Sequence, residues 1–284
     1  MDKIHMIVDL AKCVGCYNCL MACKDEFVDN CWLPYTDKQQ KHAQKWIVTD
    51  RVERGKAPHT DLCFVTKLCR HCDDPACEKA APLAVQKRED GIVLLDPEES
   101  SGDSGKALTD ACPYGNISWN SELETAQKCT MCAHLLDNGW AEPRCVQACP
   151  LRALSIVKCS DADFSKVAED QSLEPLSEGP GTPRVLYKNL HRYKSNFISG
   201  ELYYTAEDGT ERAASGAKVS LALNDTPLAE TLTDFFGEFR FDYIPDDSGK
   251  FDIECRLSGY ETITLNATIK NESVCLDAAE FIRE

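Results

Sequence analysis

No stretch of this 284-residue chain is apolar for long enough to span a bilayer. Its opening, MDKIHMIVDL, lacks the apolar core of an export signal and has no twin arginine. Together these absences predict a soluble, cytoplasmic protein with no direct membrane span, exported only if a partner with a signal peptide carries it. Basic charge is scarce, with 31 lysines and arginines against 47 aspartates and glutamates. Residues 1–160 carry a net charge of −4 and residues 161–284 a net of −12. Without a basic stripe, nucleic-acid binding is excluded as a reading. No Ser-His-Asp set, paired carboxylates or phosphate loop stands out in the C-terminal part, so no catalytic residue is assigned. Hydrophobic content of 43% is enough for a buried core and too high for a disordered chain.

Cysteine, by contrast, is abundant. Seventeen is an odd number in a chain without a signal peptide, which argues against a disulfide framework. Twelve fall into motifs: Cys13-x2-Cys16-x2-Cys19-x3-Cys23, Cys69-x2-Cys72-x4-Cys77, Cys112-Pro113, and Cys129-x2-Cys132-x12-Cys145-x3-Cys149-Pro150. Three thiolates at x2 spacing on one looping turn can grip three corners of an iron–sulfur cubane. A fourth at x3 stands on the start of a helix and points to a neighbouring cluster, while a distant Cys-Pro completes the first. Zinc is the alternative, since it takes two short Cys-x2-Cys knuckles around one tetrahedron. Cys69/Cys72 and Cys129/Cys132 alone permit it, but four thiolates as close as Cys13–Cys23 do not readily close round one small ion.

Cysteines are also missing in an informative way. Doubled ferredoxin-like chains have four such motifs, paired first with fourth and second with third. Here the second motif ends in Ala81-Pro82 instead of Cys-Pro, and Asp96–Ala111, where the third should open, has no cysteine. The four lost ligands together make one complete site, so no partial site is orphaned. The remainder assigns Cys13, Cys16, Cys19 and Cys149 to one [4Fe–4S] cluster. Cys23, Cys129, Cys132 and Cys145 hold a second, and Cys69, Cys72, Cys77 and Cys112 a third. Cys31, Cys63, Cys159, Cys255 and Cys275 are left for core packing, the usual fate of a free cysteine.

The expected fold class is α+β: a doubled ferredoxin-like iron–sulfur domain followed by an all-β sandwich of transthyretin or immunoglobulin type. Residues 1–159 form the first domain, with an insertion at 25–67 that holds Trp32, Trp46 and a strand at Trp46–Val52. That insertion shields a cluster or docks a partner, or else packs on its own module. Residues 160–194 read as a helix at Ala162–Asp170 and a Gly/Pro-rich linker. The basic group Arg184, Lys188, His191, Arg192 and Lys194 reads as a solvated face, with a docking role as the rival. Lys24, Lys128 and Arg144, each beside a motif cysteine, read as surface charge or as cations that raise cluster potentials. From 195 to 284 period-two alternation predicts about seven strands, with Val219/Leu221/Leu223, Phe239/Phe241, Phe251/Ile253/Cys255/Leu257 and Ile263/Leu265/Ala267/Ile269 each sharing a face.

The motif pattern resembles the iron–sulfur subunits of molybdenum or tungsten bis-pterin enzymes of the DMSO reductase superfamily. Loss of one cluster and gain of a sandwich make it most similar to the small subunits of pyrogallol–phloroglucinol transhydroxylases and of catechol dehydroxylases. Gln127-Lys-Cys-Thr-Met-Cys-Ala-His-Leu-Leu-Asp137, Pro183-Arg-Val-Leu-Tyr-Lys-Asn-Leu190 and Asp234-Phe-Phe-Gly-Glu-Phe239 carry the resemblance in both domains. It implies a non-catalytic electron-transfer subunit in a heterodimer, or a higher assembly. The large partner would hold the molybdenum or tungsten bis-pterin guanine dinucleotide and a polyhydroxylated aromatic substrate. Two alternatives stay open: a subunit of a nitrate, polysulfide, DMSO or formate enzyme, and a stand-alone ferredoxin carrier.

Overall fold

A computed structural model describes every residue except Met1, Ala43, Pro58 and Glu178; Ala43 and Pro58 belong to the expected insertion and Glu178 to the expected linker. The chain divides into two compact units, Met1–Arg51 with Phe64–Leu190, and Val52–Cys63 with His191–Glu284. In chain order the first holds β1 (Lys3–Asp9), α1 (Asn18–Phe27), the stem of a hairpin made by β2 (Ile47–Lys56) and β3 (His59–Leu68), α2 (Ala76–Ala80), β4 (Val85–Lys87) and β5 (Val93–Leu95). It continues with α3 (Gly102–Ala111), β6 (Ile117–Asn120), β7 (Thr125–Lys128), α4 (Ala133–Asp137), α5 (Arg144–Gln147), β8 (Leu154–Cys159), α6 (Asp161–Asp170) and β9 (Val185–Lys188). Among the described residues no helix is long and apolar enough to cross a membrane.

The sequence of β1, KIHMIVD, alternates little, and all of it beyond Lys3 is buried, as befits a strand covered on both faces. It pairs antiparallel with β8 and parallel with β9. Residues 160–190, expected as a helix and linker, therefore complete the first unit. Ser160 caps α6 by accepting a hydrogen bond from the Asp163 amide at 3.2 Å. The helix buries Phe164 with Ile7 and Leu173, and β9 adds a strand to β1. Arg184 is 1% exposed, so it lies in the interior and not on a solvated face. Its Nε donates to Asp73 at 3.0 Å and its Nη1 to Asp161 at 3.0 Å.

The segment where a third motif would open is α3. Gly102 and Gly105 make it a poor helix by propensity, and burial outweighs that preference. Leu108 is fully buried and packs with Ala81, Ala84, Val85, Val93, Leu95, Ile117 and Ala126. Cys77 and Cys112 lean on this core. The insertion contains two strands where one was expected, because the polar opening of β3, His-Thr-Asp, hides the apolar run that follows it. Trp46 is buried against Phe27 with ring centroids 4.7 Å apart, and Trp32 stacks on His134 at 4.3 Å. Both tryptophans thus pack on their own unit.

The second unit is a two-sheet sandwich. After α7 (His191–Lys194) come β10 (Asn196–Thr205), β11 (Glu211–Ala213), β12 (Lys218–Leu223), β13 (Thr226–Leu232), β14 (Glu238–Ile244), β15 (Gly249–Arg256), β16 (Ile263–Ile269), β17 (Val274–Cys275) and β18 (Ala279–Phe281). One sheet runs β11-β10-β14, with β17 and β18 parallel to β10, and the other runs β13-β12-β15-β16. The nine strands exceed the seven expected because β11, β17 and β18 are too short to display alternation. Ile198, Leu202, Phe239 and Phe241 of one sheet meet Val219, Leu221, Phe251, Ile253, Cys255, Ala267 and Ile269 of the other. Each of the Val, Leu, Ile and Phe side chains among these contributes about 1.5–3 kcal/mol by leaving water. Within this unit Asp61 gathers Arg54, Arg192 and Arg240; burial pushes its carboxyl up, and the guanidiniums of Arg54 and Arg192 outweigh that and hold it down at about 2.

His5 gives the first unit a pH dependence. It is buried, stacked on Phe164 at 3.8 Å, and its pKa is lowered to about 4, first by burial and then by Arg184. A histidine whose folded pKa lies below 6.5 contributes stability that is present above pH 6.5 and is lost as pH falls towards 4. We expect denaturation midpoints of the loaded protein to fall between pH 7 and 5, with roughly 2–3 kcal/mol at stake over the full window. His5→Phe should flatten that slope; an unchanged slope would assign the acid sensitivity elsewhere.

Candidate functional site

Three of the four Cys-x2-Cys turns hold the residue before the second cysteine at positive φ: Gly15 at 66°, His71 at 46° and Met131 at 55°; between Cys16 and Cys19 it is Tyr17, at 61°. Three of these residues are not glycine, and such a conformation is uncommon and strained outside glycine. It turns successive backbone N–H groups to one side, a concave arrangement that favours negative charge. Main-chain amides reach the sulfurs: Met131 N donates to Cys129 Sγ at 3.3 Å, Asn116 N to Cys112 Sγ at 3.4 Å and Ala153 N to Cys149 Sγ at 3.2 Å. Hydrogen bonds to a thiolate lower the cost of holding it inside a protein.

The structure gathers the twelve motif cysteines into three groups of four. Cys13, Cys16, Cys19 and Cys149 line one cavity of about 400 Å³. Burial pushes Cys19 up to about 11, and the charges of Cys13, Cys149 and Cys16 add to this. Cys69, Cys72, Cys77 and Cys112 line a second cavity of about 420 Å³. Burial pushes Cys72 and Cys77 to about 11, and each also feels Cys69 and Cys112. The remaining four stand where α1 packs on α5. Cys23 and Cys145 are driven well up by burial; Cys23 then feels Cys129 and Cys132, and Cys145 feels Cys132, Cys129 and Cys23. Neighbouring groups also interact, Cys19 with Cys23 and Cys145, and Cys69 with Cys129. The three groups are therefore linked in series, with the Cys23 group in the middle.

The three cations noted beside motif cysteines are each tied to the protein, and their partners, with Arg70 and Tyr114, escaped the sequence reading. Lys128 is 2% exposed and is not a surface charge; its Nζ donates to the carbonyls of Val93 and Cys129. Lys24 is tied to the Gln40 carbonyl at 2.7 Å, and Arg144 pairs with Glu26 at 3.1 Å. Glu26 also meets His134 Nε2 at 3.0 Å, bracing α1 against α4 and α5. Arg70 lies over the Tyr114 ring at 3.4 Å and donates to Ser177, while the Tyr114 hydroxyl donates to the Pro180 carbonyl. The Gly/Pro-rich stretch thus forms a strap over the Cys69 cavity. Of the five other cysteines, Cys63 and Cys255 are buried and Cys159 and Cys275 are half-buried, but Cys31 is exposed and packs in no core.

The donor set fits a cubane better than a single ion. Among the described residues, no three Cys, His, Asp or Glu side chains converge closely enough to hold one metal ion. The thiols instead line the walls of open volumes, which suits one thiolate per iron and not a zinc tetrahedron. His71 adds a second indication. Its Nδ1 accepts the Val93 amide at 3.1 Å, so the neutral ring carries its proton on Nε2, which is buried and has no protein acceptor. This ring lines the Cys69 cavity, where cluster sulfur would accept that proton.

Residues 59–159 match the protein family described as "4Fe-4S dicluster domain". Over 263 residues the chain is 40% identical to the pyrogallol hydroxytransferase small subunit of Pelobacter acidigallici, covering 91% of this chain and 92% of that one. It is 33% identical to a tetrathionate reductase subunit of Salmonella typhimurium, over 66% of this chain and 73% of that one. The arsenate respiratory reductase iron–sulfur subunit of a Shewanella species is 30% identical, over 65% and 95%. The chain belongs to the family of iron–sulfur electron-transfer subunits of molybdenum enzymes that includes the pyrogallol hydroxytransferase small subunit.

The left-handed loop at Gly15 is directly testable. A Cβ there would lie 2.4 Å from the Phe64 ring, whereas one on Gly139, also at positive φ, would meet nothing within 4 Å. Both alanine variants carry the left-handed backbone penalty of about 1–2 kcal/mol. We expect Gly15→Ala to lose roughly 1–3 kcal/mol more than Gly139→Ala by thermal or chemical denaturation. Equal losses would show that the first loop does not depend on this close approach.

Proposed function

We propose that the chain is the non-catalytic electron-transfer subunit of a two-subunit molybdopterin enzyme acting on polyhydroxylated aromatics, and that it holds three [4Fe–4S] clusters on a doubled ferredoxin-like scaffold. The proposed ligands are Cys13, Cys16, Cys19 and Cys149; Cys23, Cys129, Cys132 and Cys145; and Cys69, Cys72, Cys77 and Cys112. The observation that carries the cluster count is the apolar core around Leu108, which stands where a fourth ligand set would be. Ala81 replaces that set's distal ligand and is itself 7% exposed, packed into this core. When bound, clusters of this kind supply one-electron exchange at potentials set by charge, hydrogen bonds to sulfur and solvent access.

The chain's own residues account for the rest of the task. Thiols fix the spacing of the sites, main-chain amides offset negative sulfur, and the Cys23 group stands between the other two. Ser177 and Pro180 are tied to Arg70 and Tyr114 beside one end of the series. The substrate class rests on the relative from Pelobacter acidigallici, which matches across both units, whereas the tetrathionate and arsenate reductase subunits match over about two thirds of the chain. Its catalytic partner, with a molybdenum or tungsten bis-pterin cofactor, is proposed on the same ground.

Anaerobically purified complex should contain about twelve irons and twelve labile sulfides per copy of this chain, four per cubane. About sixteen would contradict the three-cluster reading, and zinc in their place would overturn it entirely. Turnover of pyrogallol or a catechol, but not tetrathionate or nitrate, would support the substrate class. Cys23→Ala should perturb the electron paramagnetic resonance signal of the cluster held by Cys129 and spare the one held by Cys13, Cys16 and Cys19. The reverse result would refute the crossed pairing.

A further inference from the structure

Lys128 is an anomaly in the first unit. Its ammonium is buried, and its two acceptors are the main-chain carbonyls of Val93 and Cys129. Among the described residues no carboxylate lies within ion-pair distance of Nζ. A buried cation without an anion is costly, and folds retain one only where something nearby balances it. Arg184, equally buried, shows the ordinary solution in the same unit, since it has Asp73 and Asp161.

The groups near Lys128 that become anionic when they ligate iron are sulfurs, and they belong to two different groups. Lys128 lines the Cys69 cavity and acts electrostatically on Cys77, one of that cavity's thiols. It also acts on Cys129, its neighbour in the chain and a member of the Cys23 group. Cys129 in turn feels Cys69, so Lys128 stands where the two groups approach each other.

We propose that Lys128 is a shared counter-ion for the two adjoining cluster sites, the Cys69 group and the Cys129 group. This rests on the cluster reading above. A thiolate-ligated cubane is an anion in both oxidation states, and reduction adds one more negative charge. A fixed cation beside two such sites favours the reduced form of both, and so raises both potentials relative to the Cys13 site. Lys128 is thus a positioning residue for electrons: it makes one pair of neighbouring sites the favoured resting place in the series.

The test is a redox titration of the anaerobically purified complex, followed by electron paramagnetic resonance, with Lys128→Met and Lys128→Arg. Iron content and far-ultraviolet circular dichroism are measured alongside. In Lys128→Met two of the three midpoint potentials should fall, each by on the order of tenfold in the reduction equilibrium, which is about 59 mV for one electron. The third should stay, and Lys128→Arg should return both towards their original values. Should the methionine variant lose iron from two sites while the arginine variant keeps it, the charge is still what the sites require. Unmoved potentials in a fully loaded variant would overturn the proposal and leave the cluster reading standing. A fall in one potential alone would assign the lysine to one site and overturn the sharing. Iron loss in both variants would mark Lys128 as a packing residue only. Absence of cluster signals in the unmodified complex would instead overturn the reading beneath it.

Discussion

Holding many sulfurs close together inside a protein is the constraint from which the rest of the first unit follows. Burial drives Cys23 and Cys145 well above the ordinary thiol range and Cys132 up to about 12, and neighbouring sulfurs push in the same direction. Left empty, such sites favour neutral thiols. Binding iron requires thiolates, so metal affinity and folding become one free energy. The proposed pairing of Cys13, Cys16 and Cys19 with Cys149, and of Cys23 with Cys129, Cys132 and Cys145, ties the start of the unit to its far end. The β8-β1-β9 sheet makes the same closure by hydrogen bonds, with β1 between strands that come about 150 and 180 residues later.

The charge distribution fits that constraint. The chain is strongly acidic, yet the cations near the sulfurs are drawn inward: Lys128 is buried, Arg70 lies over Tyr114, and Lys24 is tied to a carbonyl. Arg184 serves a different purpose. It has two carboxylates, lies against His5, and joins β9 to α6 and to the loop after Cys72. One type of buried cation is paired and structural; the other is balanced only when the sulfur sites are charged.

Much of this was legible in the sequence. Cysteine spacing marks the three sulfur groups because most of each group is presented by turns of a few residues. Alternation at Phe251, Ile253 and Cys255 marks a sandwich strand because one face of each strand is buried. What was hidden depends on distant contacts. The helix α3 has two glycines in its first turn and exists because Leu108 is needed in a core. Arg184 and Lys128 look like surface residues until Asp73, Asp161 and the sulfur groups are brought to them. The Gly/Pro-rich stretch before Pro183 reads as a linker by composition, and only Arg70 and Tyr114, some 60 to 110 residues away in sequence, reveal it as a strap.

The central claim is that this chain holds three four-iron centres in series and has a packed apolar core where a fourth would be. Anomalous scattering at the iron edge, from crystals of the anaerobically purified complex, tests it most directly. Three four-iron peaks are expected in this chain, at the Cys13, Cys129 and Cys69 groups in that spatial order, and none beside Leu108. A fourth peak there, or a thiol group without iron, would contradict the claim.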